Sequence, residues 1–556
     1  MEMEKKNVAI IVLAIALAAS GVGNIILGIM AGLIEITPPT QDTFRVIRGS
    51  RIPTIDPADA WDSSSNNVIN QVVETLWLYD LREEDLPLVP WLVDSWEWNT
   101  GATELQVNLK QGIYFHDGEL MDAAAVKHTF DRIDYLSNWT GTLPLNTSEM
   151  FPSSLYKFDA TTPIIADTEV VSTYTINFTL TQAFGPFTSL LAYTASGIVS
   201  PNTPRYRYLD LTTERVIGTG PFVYESYIPL LEVRFTRNDN YWQEPAHFSE
   251  MVFLIIEDAT TANNAMLGKD ADYLGGCLPD FIPLFKADAD FTFVENLTSL
   301  VYWYIAFNTQ QVNRTWRKAL SYAYNYTHVV EEIRNGVAVR GTSAVPPGMP
   351  GHNASLNVAT LDRVFARQIM QSMGFGVGFD VNADAEWLTQ ATTAPFRDFD
   401  VIRHFGSTTS QRLNELFIDN VQYIGCNATE RILDWETFLD VGENDPDSMN
   451  VWYVGWGPDY LDAFNMLDPL FNPASASNFV QLNDATLIGW LNDLATEPDT
   501  NERLKLAGMI QWRLYERLYV HMPLWLDLLY YVHLAEIDGV PYNAMQNFWA
   551  YPIYRV

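Results

Sequence analysis

Residues 105–133, LQVNLKQGIYFHDGELMDAAAVKHTFDRI, decide the fold class. Apolar and polar side chains alternate over residues 105–109, which predicts a half-buried strand, and the turn sequence of residues 115–118 follows it. From Val126 onward, apolar residues recur at spacings of four and three behind a capping residue, Asp122. That pattern predicts an amphipathic helix. The chain therefore mixes strands and helices within one short stretch.

The same two patterns recur along the rest of the chain. Apolar residues alternate again over residues 176–180, and helical spacing returns between Leu504 and Leu518 through Ala507, Ile510 and Leu514. The 556 residues can bury more than one core. We therefore predict an α/β or α+β protein of several lobes.

Charge excludes some partners. The chain has 33 basic and 68 acidic side chains, a formal net charge of -35. Such a surface repels nucleic acid and anionic lipid, so we expect no nucleic-acid binding. It suits a secreted protein, and it also suits a protein that lives in high salt.

The N-terminus carries an apolar run without charges, residues 8–34, behind Lys5 and Lys6. The run is long enough to cross a bilayer, and the lysines favour a cytoplasmic position for residues 1–7. We expect a transmembrane anchor, followed by a tether at residues 35–41 and an extracellular domain. A cleaved signal peptide stays open as the alternative, although signal peptides usually have shorter apolar regions.

Cysteines and glycosylation sequons are compatible with an outside location. Cys277 and Cys426 are too few for a disulfide framework; they pair with each other or remain free thiols. Eight Asn-x-Ser/Thr sequons are glycosylation candidates if the cell modifies extracellular proteins. They are Asn138, Asn146, Asn177, Asn296, Asn313, Asn325, Asn353 and Asn427.

Several short motifs occur in a fixed order. They are TIDP at 54–57, LVPWLVDSW at 88–96, LKQGIYFHDG at 109–118, IGTGPF at 217–222, RNDNYW at 237–242, RKALSYA at 317–323 and GWGPDY at 455–460. In this order they resemble the family 5 solute-binding proteins of ABC transporters, which include oligopeptide-, dipeptide- and nickel-binding proteins. The resemblance covers nearly everything after residue 45.

The resemblance implies a periplasmic-binding-protein-like fold of two large hinged lobes and a third lobe, with the ligand enclosed between them. Its lobe I is 42–73 with 200–300 and 520–556, lobe II is 74–199, and lobe III is 301–519. Hinged lobes close around a ligand when a few crossover residues change their dihedral angles.

Motifs for other chemistry are missing from the sequence. It has no Walker loop, no nucleophile elbow and no His-Glu-x-x-His. Gly218 and Gly220 lack the lysine of a phosphate loop, and His116 beside Asp117 is more typical of a capped turn than of a catalytic dyad. We predict no enzyme activity, no metal site and no cofactor.

The strongest candidate site is Trp456 with Asp459, in the rigid segment that starts at Gly455. A turn with a solvated aspartate is the alternative interpretation. By the resemblance, Asp459 is the acid that pairs with a peptide's α-ammonium group. A desolvated ammonium group requires such an anionic acceptor.

Other candidates rest on the same resemblance. Trp61 and Ser63 lie where relatives run their backbone along the peptide. Tyr453 occupies a position where some relatives carry an arginine for the ligand's carboxylate, and Arg403 or Arg412 could substitute for it.

These observations predict a monomeric substrate-binding protein on the cell surface that captures oligopeptides by lobe closure and delivers them to an ABC permease and its ATPase. Three alternatives stay open: a binder of oligosaccharides or metal chelates with the same fold, a surface sensor or adhesion protein, and a hydrolase with a cleft of similar shape.

Overall fold

The computed structural model describes residues 42–138, 155–159, 161–475 and 477–556. Within these ranges, no helix is both long and apolar enough to cross a membrane. The predicted anchor at 8–34, its flanks at 1–7 and 35–41, and the sequon residue Asn146 lie outside the described residues.

Twenty strands occur among the described residues. In chain order they are β1 (Thr43–Arg48), β2 (Trp77–Tyr79), β3 (Leu88–Pro90), β4 (Val93–Trp98), β5 (Glu104–Leu109), β6 (Ile165–Ser172), β7 (Thr175–Leu180), β8 (Phe222–Ile228), β9 (Glu232–Arg237), β10 (Glu250–Ile255), β11 (Tyr273–Gly275), β12 (Phe291–Thr298), β13 (Tyr302–Phe307), β14 (Ala338–Arg340), β15 (Asp398–His404), β16 (Asn427–Leu433), β17 (Val451–Trp456), β18 (His521–Leu534), β19 (Ile537–Asp538) and β20 (Tyr554–Arg555).

Helices connect many of these strands. They are α1 (Ser63–Ile69), α2 (Ala123–Ser137), α3 (Phe187–Leu190), α4 (Ala259–Leu267), α5 (Ile282–Ala287), α6 (Arg314–Ala323), α7 (Tyr326–His328), α8 (Arg363–Ser372), α9 (Ala385–Thr393), α10 (Thr408–Gln422), α11 (Trp435–Asn444), α12 (Ala463–Phe471), α13 (Ala485–Thr496) and α14 (Thr500–Trp512). Two π-helical segments, Val329–Ile333 and Arg513–Leu518, continue α7 and α14.

The periodicity predictions for lobe II are confirmed. The alternating residues form β5 and β7, which pair within the four-stranded sheet β4-β5-β7-β6. The predicted helix is α2, and the Asp122 carboxylate accepts hydrogen bonds from the amides of Ala124 and Ala125 at 2.9 and 3.0 Å. The cap satisfies amides that lack a partner in the first turn.

One twelve-stranded sheet joins lobes I and III. Its order is β16-β15-β17-β13-β18-β11-β1-β10-β9-β8, and β12 and β14 also pair with β18. The first half of β18 pairs with β13 and β14, up to Asp527, and the second half pairs with β12 and β11 from Leu528 onward. The chain therefore passes from lobe III into lobe I within a single strand.

Three hydrophobic cores accompany these sheets. One core packs beneath β1, β8–β11 and the end of β18, and another packs beneath β13, β15 and β17. The third core fills lobe II and continues into α12, α13 and α14 of the lobe III segment. Phe184 of lobe II contacts Phe464 of α12, with ring centroids 5.4 Å apart. Lobe II and these helices therefore share one core.

Candidate functional site

A cavity of about 1040 Å³ lies where the three lobes meet. Lobe I contributes residues 47–50 and 61–70, lobe II contributes Tyr79 and residues 192–194, and lobe III contributes α10, α11 and the end of β17. The volume is at the top of the range of about 300–1,000 Å³ for pockets that hold drug-sized ligands. It can therefore hold a solute larger than a single amino acid.

Aromatic side chains form much of the cavity wall. They are Trp61, Tyr79, Tyr193, Tyr273, Tyr304, Trp435, Phe438, Trp452, Trp456, Phe479, Tyr530, Tyr531 and Phe548. Such a wall offers large apolar contact area without demanding one ligand shape.

The strand β17 orients the predicted site residues. Side chains of a strand alternate between its faces, and Trp452, Val454 and Trp456 line the cavity while Tyr453 does not. Tyr453 is only 5% exposed and packs against Trp303 and Trp525, with ring centroids 5.3 and 5.5 Å away. The predicted contact between Tyr453 and ligand is corrected on this point, because its ring faces the core of lobe III.

Gly455 has a steric reason to be glycine. An added Cβ at this position would lie 2.6 Å from the Trp303 ring, a distance that side chains do not tolerate. The close approach of β17 to β13 therefore requires glycine and sets the direction of the segment that follows. That segment carries Trp456 and Asp459 to the cavity wall.

The Asp459 carboxylate lacks a cation. It accepts a hydrogen bond from Trp61 Nε1 at 3.1 Å and another from Asn465 Nδ2 at 3.0 Å. No basic side chain lies within 4.0 Å of it among the described residues. Burial raises the pKa of Asp459, although its hydrogen bonds with Asn465 and Trp61 oppose the rise. The site therefore favours a cation beside this half-buried carboxylate.

The indole of Trp456 adds a free donor. In the described part of the chain, its buried Nε1 has no hydrogen-bond acceptor. Buried N–H groups normally have a partner, so this group can serve a ligand acceptor after a small rotation.

The segment around Trp61 and Ser63 is partly helical. Ser63 is the first residue of α1, capped by Asp62, and both Trp61 and Ser63 line the cavity. The irregular segment that carries Trp61 therefore ends at Asp62. Trp61 remains 42% exposed while its indole nitrogen contacts Asp459 of lobe III.

The two arginines that were predicted as substitutes, Arg403 and Arg412, differ in their partners. Arg403 forms an ion pair with Glu430 at 3.0 Å and does not line the cavity. Arg412 lines the cavity but donates to the backbone carbonyls of Glu332 and Ile333, at 2.8 and 3.3 Å. Of the two substitutes predicted for a carboxylate contact, only Arg412 reaches the cavity wall.

Sequence reasoning missed Arg48 and Arg334, which also line the cavity. Arg334 Nη2 forms an ion pair with Asp527 Oδ1 at 2.5 Å. The signal for Arg48 was available as a charged residue at the end of an apolar strand, but its surroundings depend on distant segments.

The remaining motifs have structural roles. His116 Nε2 contacts the Gly220 carbonyl at 2.9 Å, whereas Asp117 accepts a hydrogen bond from Ser200. A Cβ on Gly218 would lie 2.1 Å from the Val72 carbonyl oxygen, so this glycine permits a close backbone approach.

The two cysteines are both free: Cys277 lines the cavity, and Cys426 is buried in lobe III. Of the two alternatives that the sequence left open, the structure has the free thiols. Among the sequon residues, Asn313 and Asn325 cap helices, Asn138 ends α2, and the Asn353 amide donates to the Gly508 carbonyl at 3.1 Å. Asn177 and Asn427 lie on β7 and β16.

Comparisons with known proteins agree with this architecture. The model of the bacterial extracellular solute-binding proteins, family 5, matches residues 87–478. Heme-binding protein A of Haemophilus influenzae is 23% identical over 81% of this chain and 80% of its own length. A glutathione-binding protein of Salmonella paratyphi A is 26% identical over 76% of each chain.

A solved structure shares the fold. The ABC transporter-associated periplasmic binding protein DppA of Helicobacter pylori, in complex with the peptide STSA, superposes with a TM-score of 0.72. It is 19% identical, and the match covers 92% of this chain and 98% of that one. The family match spans well over half of the chain, and the cavity between lobes is where a captured solute would lie. The chain belongs to the bacterial extracellular solute-binding proteins of family 5, the substrate-binding proteins of ABC transporters.

Proposed function

We propose that this protein is the extracellular receptor of an ABC importer that captures oligopeptides with a free amino terminus. The observation that carries the proposal is the Asp459 carboxylate, which lines the cavity without a basic partner in the described residues. The peptide would be held by noncovalent contacts, so the proposal needs no chemical step on the ligand and no cofactor.

An α-ammonium group suits this carboxylate. Each oxygen of Asp459 already accepts one hydrogen bond, from Trp61 or from Asn465, and retains a free lone pair. An ammonium group offers three donors and a positive charge. Its binding would satisfy both oxygens and offset the cost of burying the carboxylate.

The rest of the cavity supports a peptide without fixing its sequence. The aromatic wall can contact varied side chains, and Gly455 lines the cavity beside Trp456. One relative is named for glutathione, which is itself a peptide with an ammonium group. Gly455, Trp456, Trp61 and Ser63 are the further proposed contacts.

An oligosaccharide is the second candidate, because exposed indole rings such as Trp61 and Trp435 can stack on sugars. An uncharged sugar would leave the negative charge of Asp459 without a positive partner. A heme group or a metal chelate would likewise leave Asp459 without a cation.

Calorimetry with paired ligands tests the proposal. We expect the protein to bind short free peptides at least ten-fold more tightly than their N-acetylated forms. Asp459→Asn should lower the affinity for free peptides by about 10- to 150-fold. This is the equivalent of losing a hydrogen bond of about 1.5–3 kcal/mol to a charged group. It should change binding of the acetylated peptides little.

Glu443→Gln is the matched control. Glu443 is an exposed carboxylate on the same cavity, so its removal tests the long-range effect of one negative charge. We expect less than a three-fold change. Equal binding of free peptides by Asp459→Asn and the parent protein would reject the ammonium site, and native mass spectrometry of copurified ligand would then identify the solute class.

Surface location and lobe closure complete the proposal. If residues 8–34 anchor the protein with its domain outside, protease added to intact cells should release a soluble, nearly full-size fragment. If the protein is a monomer whose lobes close on ligand, X-ray scattering should give a monomer mass and a smaller radius of gyration with peptide. Release only after lysis, or an unchanged radius with bound peptide, would contradict these points.

A further inference from the structure

Arg48 ends strand β1 of lobe I on the cavity wall. Its guanidinium lies over the rings of Phe253 and Phe548, 5.2 and 5.5 Å from their centroids. Stacking of this kind holds the plane of the guanidinium but leaves its N–H donors unused.

The guanidinium has no acceptor in the described part of the chain. Neither an ion pair nor a side-chain hydrogen bond involves Arg48, whereas the arginines before and after it are both paired. Arg45 pairs with Asp272 at 3.1 Å, and Arg51 pairs with Glu257 at 3.0 Å. Burial lowers the pKa of Arg48 to about 10, although the nearby Tyr273 and Tyr531 oppose the fall.

Removing a guanidinium from water without a counterion is unfavourable, so buried charges are normally paired. The other two arginines on the cavity wall are engaged: Arg334 with Asp527, and Arg412 with backbone carbonyls. Arg48 is thus the cavity arginine whose donors are free among the described residues. Its planar group can bind a carboxylate through two parallel hydrogen bonds.

We propose that Arg48 binds a carboxylate of the ligand while Asp459 binds its ammonium group. This inference rests on the proposed function, because it assigns the second charge of the same peptide. A peptide with both termini free carries a positive charge for Asp459 and a negative charge for Arg48. Since Arg48 belongs to lobe I and Asp459 to lobe III, such a zwitterion would join the two lobes.

Two sources can supply the carboxylate: the C-terminus of the peptide or an acidic side chain. Alanine peptides of two to five residues, each with a free or an amidated C-terminus, test the first source. Amidated peptides that end in glutamate test the second. Since all keep a free amino terminus, they hold the Asp459 contact constant.

We expect the parent protein to bind the free-acid form at least ten-fold more tightly than the amide at the length that spans the cavity. In Arg48→Gln this preference should fall below three-fold, and Arg412→Gln, the matched control, should keep it. The four affinities, of the parent protein and Arg48→Gln for the acid and the amide, form a double-mutant cycle. The cycle separates the guanidinium–carboxylate contact from general changes in stability. If the alanine acids and amides bind equally but the glutamate amides bind at least ten-fold more tightly than glutamine amides of the same length, the acidic side chain is the source.

Two results would overturn the assignment. One is an unchanged preference in Arg48→Gln with its loss in Arg412→Gln, which would move the carboxylate to lobe III. The other is equal binding by the parent protein of acids and amides, and also of glutamate and glutamine amides, a result that needs no folded variant. Both leave the Asp459 site intact, because only N-acetylation of the same peptides tests the ammonium contact.

Discussion

Replacing Asp56 by asparagine should lower the stability of the protein by about 3–5 kcal/mol, the usual effect of breaking a buried ion pair from one side. Asp56 is completely buried and pairs with the equally buried Arg132 of α2. Its Oδ1 accepts from Arg132 Nη1 at 2.8 Å and from the Ala58 amide at 3.0 Å. Its Oδ2 accepts from Arg132 Nη2 and from the Leu209 amide.

In either orientation of the new amide, its NH2 group points at two hydrogen-bond donors and cannot accept from them. Arg132 also loses its counterion. We would measure urea midpoints by tryptophan fluorescence and far-UV circular dichroism together, because a protein of three lobes need not unfold in one step. Asp239→Asn is the control: Asp239 pairs with Arg237 but its side chain is 73% exposed, and such pairs contribute about 0–1 kcal/mol. If Asp56→Asn shifts the midpoint no more than this control, the buried pair does not support the junction of lobes I and II.

Three further predictions follow from the site and its neighbours. Gly455→Ala should destabilise the protein by about 1–3 kcal/mol, because the added Cβ would contact the Trp303 ring. Gly457→Ala is the control and should not destabilise it, because its Cβ would lie 3.4 Å from the nearest atom. The melting temperatures of the two variants test this difference. Burial raises the pKa of Asp468 to about 7, so its contribution to stability is fully present below pH 4 and lost as pH rises through 7. Asp468→Asn should therefore stabilise the protein by about 1–3 kcal/mol at pH 8, seen as a higher melting temperature, and by much less at pH 4. Equal increases in melting temperature at pH 8 and pH 4 would contradict the raised pKa of Asp468. Burial also raises the pKa of Asp459, so on acidification the binding of free peptides should weaken at a higher pH than it would with an ordinary aspartate. Binding should weaken again above about pH 8, because the amino group of the ligand loses its proton. Calorimetry from pH 4 to 9 should show both decreases in affinity, and N-acetylated peptides should show neither.

Local patterns predicted local structure well. The strands β5 and β7 and the helix α2 follow from periodicity and one cap, which depend only on nearby residues. The helical spacing from Leu504 onward likewise falls on α14, although Leu504 itself is 39% exposed while Ala507 and Ile510 of the same helix are buried. The inner face of α14 also uses Arg503 and Gln511, polar residues whose burial depends on partners elsewhere in the chain.

The candidate site was predictable only in part. Trp456 and Asp459 reach the cavity because the motif at 455–460 carries its own geometry. The orientation of Tyr453 was not predictable, since it depends on which face of β17 meets β13. Arg48 could not be recognised either, because its sequence neighbours Arg45 and Arg51 look the same, and only the positions of Asp272 and Glu257 distinguish them.

The sheet suggests how ligand binding and lobe closure are coupled. The two crossovers between lobes I and III lie side by side, because β12 ends against Leu528 and the Ser299 amide donates to the Asp527 carbonyl at 2.8 Å. Two adjacent connections permit rotation about one line while they prevent the lobes from separating. The Trp61 hydrogen bond to Asp459 is a direct contact between lobes I and III beside the cavity.

A hydrogen bond from the Trp61 indole to the charged Asp459 carboxylate is worth about 1.5–3 kcal/mol net, and lobe closure also has to offset the conformational freedom that the chain loses. A zwitterionic peptide that contacts Asp459 on one lobe and Arg48 on the other would add two charge-assisted contacts that form only when the lobes are close. A ligand shifts such an equilibrium by the difference in its affinity for the two states. Peptides that lack either charge should therefore bind more weakly and, at saturation, should reduce the radius of gyration in X-ray scattering less than the zwitterionic peptide does.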